Sequence, residues 1–170
     1  MIDLALDLLR RRLDDHLMTR FGVEDPLVVL GPPTDGEGKP TAEARNRLAL
    51  FLTNIAEDTV PRGRPKGLAR QLVQAEPVHL DLYVMLASSY DAEIYGEGLK
   101  LISAAMTFFQ SHPVFTPLTA PEMPPGLSQL TVEIANLGAE DVAQIWGNMG
   151  GRYLPSVLYK VRSVVIDGNV

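Results

Sequence analysis

The sequence predicts an α+β fold, a single mixed or mostly antiparallel sheet with helices packed on it. Two patterns carry that reading. Several separate stretches alternate apolar and polar residues with period two, while others repeat apolar residues at three and four. Their order matters as well. Strands follow one another early in the chain, and helices return later on long connections, which suits an α+β layering better than a parallel α/β alternation. With 170 residues, positions 1–170 are expected to form one domain, since a chain of this size buries roughly 70% of its unfolded surface.

The opening helix is predicted over 2–20, where Ile2, Ala5, Leu6, Leu9, Leu13 and Leu17 share a face. Asp3 and Asp7 near its start and Arg20 near its end complement the helix dipole, and Gly22 is its stop. Arg10, Arg11 and Arg12 point in different directions on a helix and are followed by Asp14 and Asp15, so a solvated face is expected. A short apolar strand over 27–30 precedes a loop rich in Gly and Pro. That loop lacks the phosphate-loop spacing, and Pro32, Pro33 and Pro40 remove N–H donors that such a loop would use.

A strand over 47–55, apolar on both faces, is expected to be central. Its hairpin partner begins at Val78, where Val78, Leu80, Leu82, Val84 and Leu86 alternate with other residues. The segment between them holds Pro61, Gly63, Pro65 and Gly67 beside Arg62, Arg64 and Lys66, and a long mobile loop is predicted there. From Asp91 a helix should bury Ile94, Leu101, Ile102, Ala105, Phe108 and Phe109, with close packing at Gly96 and Gly98. His112 and Pro113 end it. Five prolines within 113–125 predict an extended crossover, followed by a strand over 129–135 and a helix over 139–149 that closes with Trp146 and Met149.

The final stretch, 146–167, is the most informative. Gly150 and Gly151 stop the helix, and Pro155 forces the chain straight into a last strand. Val157, Tyr159, Val161 and Val165 share one of its faces; Lys160 and Arg162 share the other with Leu158, Val164 and Ile166. Such a strand is either half solvated or an edge presented to a partner. Trp146 and Tyr153, large aromatics beside a glycine turn, read as core.

Composition excludes several classes. There are no cysteines, hence no disulfides, thiolate nucleophiles or zinc ribbons. A formal net charge of -6 opposes general nucleic-acid binding. No apolar run approaches the roughly 18 residues of a membrane span. Cytoplasmic synthesis and assembly are expected. His16, His79 and His112 stand in no catalytic spacing, and neither a nucleophile elbow nor a nucleotide fingerprint is present. His79 and Asp81 share a strand face, the one starting point for the alternative of a small-ligand or metal-dependent enzyme, but no third ligand is identifiable.

The run Trp146, Gly150, Tyr153, Pro155, Ser156, Tyr159 through Arg162 resembles the end of the domain found in cap proteins, or tail terminators, of phage-tail-like contractile injection systems. LALFLTNIAED (48–58), VHLDLYVMLAS (78–88), FFQSHPVFTP (108–117) and LTVEIANL (130–137) extend the likeness over nearly the whole chain. The resemblance implies a tail-terminator-like fold and a ring, of six subunits, on the inner tube and sheath, with no catalysis, cofactor, small molecule, nucleic acid or membrane partner. It also implies an assembly that begins in the cytoplasm and ends as part of the particle. Arg62, Arg64, Lys66, Lys160 and Arg162 are the candidate positive contacts, to a neighbouring subunit or to tube and sheath.

Overall fold

A computed structural model describes residues 1–60 and 77–166. Helix α1 (Ile2–Phe21) ends where Gly22 takes the left-handed conformation at φ 64 and donates its N–H to the Met18 carbonyl. Strands β1 (Val28–Leu30), β2 (Arg47–Glu57) and β3 (Val78–Ser89) follow, then a 3-10 turn and helix α2 (Tyr95–Ser111). The chain continues through β4 (Val114–Phe115), β5 (Leu130–Ile134), helix α3 (Ala139–Asn148) and β6 (Ser156–Ile166). The strands make one sheet in the order β1-β2-β3-β6-β5-β4, in which only β1 and β2 run parallel.

Each face of the sheet has its own core, because the central strands are apolar on both sides. Toward α1 and α2, Leu48, Leu82, Leu86, Val161 and Val164 pack with Leu9, Leu13 and Phe108. On the opposite face Ala49, Phe51, Met85, Ala87 and Leu158 pack with Trp146 of α3. The strict alternation in β3 thus serves two layers at once. The expected hairpin between β2 and β3 is present, with Leu50 opposite Leu86, and β2 is an interior strand.

Several sequence expectations change. The last strand is interior as far as Arg162, where β6 lies between β3 and β5. Its register with β3 jumps from Leu82↔Val161 to Leu80↔Val164, so Arg162 and Ser163 together oppose Asp81 in a bulge where Ser163 has φ 75. The extra residue reverses the alternation. Val164 consequently enters the main core rather than sharing a face with Lys160 and Arg162. The proline-rich crossover contains β4, an outer strand that pairs Val114 with Thr131 and Phe115 with Leu130. Ile94 is exposed, since the α-helix proper starts one residue later. Asp14 is buried rather than solvated: its Oδ1 accepts the N–H groups of Leu27 (2.8 Å) and Val28 (3.1 Å), fastening the start of β1 to α1. The predicted mobile loop falls largely on residues 61–76, outside the described residues.

The two glycines of α2 differ. A Cβ on Gly98 would lie 2.5 Å from Ser88 Oγ and 2.9 Å from the Tyr90 ring, whereas Gly96 has nothing within 4 Å. Gly98 is what lets α2 approach the end of β3. Gly98→Ala is therefore expected to lose about 1–3 kcal/mol through overpacking. Gly96→Ala should be neutral or gain up to about 1 kcal/mol from helix propensity. Paired urea melts check both, and equal losses would remove the close-packing role of Gly98.

Candidate interaction surface

Helix α3 covers only part of its face of the sheet. Trp146, 2% exposed, anchors it, packing edge-on against Phe51 with ring centroids 6.3 Å apart and donating its Nε1–H to Ser156 Oγ at 3.2 Å. Tyr153 is not core. It is 63% exposed and only leans on Trp146 at 6.3 Å, so the glycine turn has delivered it to the surface. Beside the helix a groove of about 530 Å³ opens, lined by Phe51, Tyr83, Leu137, Ile145, Met149 and other mostly apolar residues.

The rest of this face is charged. Asp81 sits on β3 and is 6% exposed. The bulge in β6 lies opposite it, and two cations converge on its carboxylate: Lys160 Nζ is 3.4 Å from Oδ2 and Arg162 Nε is 3.9 Å from Oδ1. Arg162 also reaches Glu133 of β5 at 3.8 Å. Asp81 Oδ1 has no hydrogen-bond partner, so its compensation is coulombic. Burying a carboxylate is costly unless opposite charge stands close, and the two β6 cations provide it. Lys160 and Arg162 are thus brought together with each other and with an internal anion. Arg62, Arg64 and Lys66 lie outside the described residues.

His79 and Asp81 alternate onto the same side of β3, but Asp81 is engaged by Lys160 and Arg162. Among the described residues no three His, Cys, Asp or Glu side chains are grouped so as to hold a metal ion. His16 and His112 belong to the helix layer, flanking Phe108 at 4.8 and 5.0 Å, and burial holds the His16 imidazole below its ordinary pKa. On the sheet face that α2 covers, burial pushes the Tyr159 hydroxyl up to about 12. Among the described residues no helix is long and apolar enough to cross a membrane.

The model of the family described as the Pvc16 N-terminal domain matches residues 6–170. The chain belongs to this family. Its fold is that of a solved sheath/tube terminator, in the extended state, of an extracellular contractile injection system: TM-score 0.58, 13% identity, 94% of this chain covered. The likeness takes in 56% of that terminator, so the Pvc16 N-terminal domain seen here spans little more than half its length. The anti-feeding prophage cap, a tube terminating cap, is also similar, at TM-score 0.49 and 14% identity over 91% of this chain and 52% of that one. No curated protein matches.

Two predictions follow from the two anchors of this face. Trp146→Ala should cost about 3–5 kcal/mol. Tyr153→Ala, at an exposed site, should stay within about 0.5 kcal/mol of the parent. Equal losses in thermal melts would contradict the placement of Tyr153. For the charges, Lys160→Met and Arg162→Met should each be mild because the other cation remains. The double variant leaves Asp81 buried without a partner and should lose roughly 3–5 kcal/mol. A double-mutant cycle by urea unfolding checks this, and simple additivity would show that the cations act independently.

Proposed function

We propose that the chain is the structural, non-catalytic cap domain of a contractile injection system, a tail terminator. In this reading one domain over 1–170 assembles as a hexameric ring on the last layer of the inner tube, stopping its growth and anchoring the end of the sheath. The observation that carries it is family membership across residues 6–170 together with a fold shared with a sheath/tube terminator. The architecture is compatible with that task. A closed ring requires two different surfaces on each subunit, one meeting the other on its neighbour. The sheet provides distinct sides: a helix layer, a partly uncovered face, and two unlike edges.

Its partners would be further copies of itself and the tube and sheath proteins, met in the cytoplasm before the finished particle leaves. The positive contacts proposed for this assembly are Arg62, Arg64 and Lys66 from the basic segment, with Lys160 and Arg162 contributing what charge Asp81 and Glu133 leave over. Exposed ion pairs give only roughly 0–1 kcal/mol each, so no single cation should be decisive.

Deleting the chain's gene and viewing the particles by electron microscopy should give tubes of uncontrolled length. Tubes of normal, uniform length would sink the terminator reading. Replacing Arg62, Arg64 and Lys66 together by glutamate, with folding confirmed by circular dichroism, should have the same direction of effect and be weaker at high salt. Lys160 and Arg162 are unsuited to charge reversal, because an added anion beside Asp81 would threaten the fold itself.

A further inference from the structure

Toward one end the sheet narrows to a ribbon of three strands. β1 pairs with β2 only at Leu48, Ala49 and Leu50, and β5 follows β6 no further than the Thr131↔Arg162 pair. Past these points β2, β3 and β6 continue together, residues 54–57 against 80–83 and residues 164–166 against 78–80. Among the described residues no strand pairs with β2 on its outer side beyond Leu50, nor with β6 on its β5 side beyond Arg162. Among the described residues the ribbon therefore has two open edges, on opposite sides.

The edges present backbone in the manner of a strand awaiting a neighbour. Asp58 donates its N–H to the His79 carbonyl at 2.8 Å, toward β3. Because bonding alternates along an antiparallel strand, Ile55 and Glu57 turn their own N–H and C=O groups outward. Proteins ordinarily blunt such edges with lysine, proline or inward charges. Here residues 54–57 read Asn-Ile-Ala-Glu and 163–166 read Ser-Val-Val-Ile, with neither lysine nor proline. The ribbon even exposes apolar side chains: Ile55 on β2, and Val78 directly opposite Ile166.

We propose that the subunits of the ring join by strand addition, the open edge of β2 on one copy pairing with the open edge of β6 on the next. This rests on the ring reading above and names its interface. Direction and length both fit. β2 and β6 each run antiparallel to β3, so they are parallel to each other, and copies related by rotation about an axis along the strands bring β6 beside the next β2 in parallel pairing. The described free edge of β6 is about four residues, or about 13 Å, long, and that of β2, from Phe51 to Glu57, is long enough to match it. Pairing β2 with β2 across a two-fold axis would instead close a dimer and leave both β6 edges open. Head-to-tail pairing uses both edges of every subunit and stops only when the ring closes.

Introduced cysteines provide the test, because the chain has none of its own. Within one copy β2 and β6 are two strand spacings apart, about 10 Å. That exceeds the Cα separation of about 7 Å that a disulfide tolerates, so any bridge between them joins different copies. Ile55→Cys or Ala56→Cys would be combined with Val165→Cys or Ile166→Cys, covering both faces of the ribbon. The purified chain and assembled particles would each be oxidised and run on denaturing gels, with thermal melts confirming that every variant folds. At least one double variant should give a reducible ladder rising to the full ring, with every single variant remaining uncrosslinked. Dimers from Ile55→Cys or Ala56→Cys alone would overturn the head-to-tail scheme in favour of two-fold pairing. Rings seen by microscopy with no ladder from any double variant would overturn the edge interface while leaving the ring intact. A chain that stays monomeric by light scattering, both alone and with tube and sheath proteins, would remove the ring reading itself.

Discussion

The structure depends on inserting the last strand into the middle of the sheet. β6 pairs with β3 on one side and β5 on the other, and it supplies residues to both cores, Val161 and Val164 to one and Leu158 to the other. Its partners are remote in sequence, as in the pair Leu86↔Val157. Until β6 docks, β4 and β5 have no attachment to the sheet and Asp81 has neither of its cations. Contacts this distant require loop closure before they contribute, which makes folding slow and cooperative rather than modular.

The two faces of the sheet are stabilised differently. α1 and α2 are long and share a continuous apolar layer with the sheet, whereas α3 has 10 residues. Isolated helices below about 12–15 residues are marginal in water, so α3 owes its place to tertiary packing. Trp146 provides it from within, and the loop after β1 braces the helix end from outside. Gly38 at φ 79 meets Gly150 at φ 65 so closely that a Cβ on Gly38 would collide with the Gly150 carbonyl. Gly38 is thus demanded twice, by backbone conformation and by contact, whereas Gly150 is demanded by its positive φ alone. The groove beside α3 exists because a helix so short covers only part of the sheet.

Most elements were legible because their periodicities reflect which residues share a face. β3 alternates from Val78 to Leu86, and α1 and α2 show clear stripes, so their spans differ from expectation by only a residue or a few. β4 carries no comparable signal: two residues between Pro113 and Pro117 are too few to show a period. The bulge at Ser163 was equally hidden, since the run from Val161 to Ile166 has no glycine to mark a positive φ. That β6 is interior could not be read locally, because strand order is a property of the whole chain. One sign of the charged site was present, however. Asp81 stands within the strongly apolar stretch LDLYVML, and a carboxylate placed there requires cations, which Lys160 and Arg162 supply from β6.

That pairing changes what the β6 cations can do for a partner. A cation already opposed by a buried carboxylate has little field left for a second anion, and an exposed pair adds roughly 0–1 kcal/mol in any case. Backbone edges behave differently. Among the described residues no strand takes up their hydrogen bonds, they are fixed in direction by the sheet, and they ask for a strand rather than a particular side chain. In this division the bulge brings two cations over Asp81, while the last residues of β6 run past the short β5, where no described strand pairs with them.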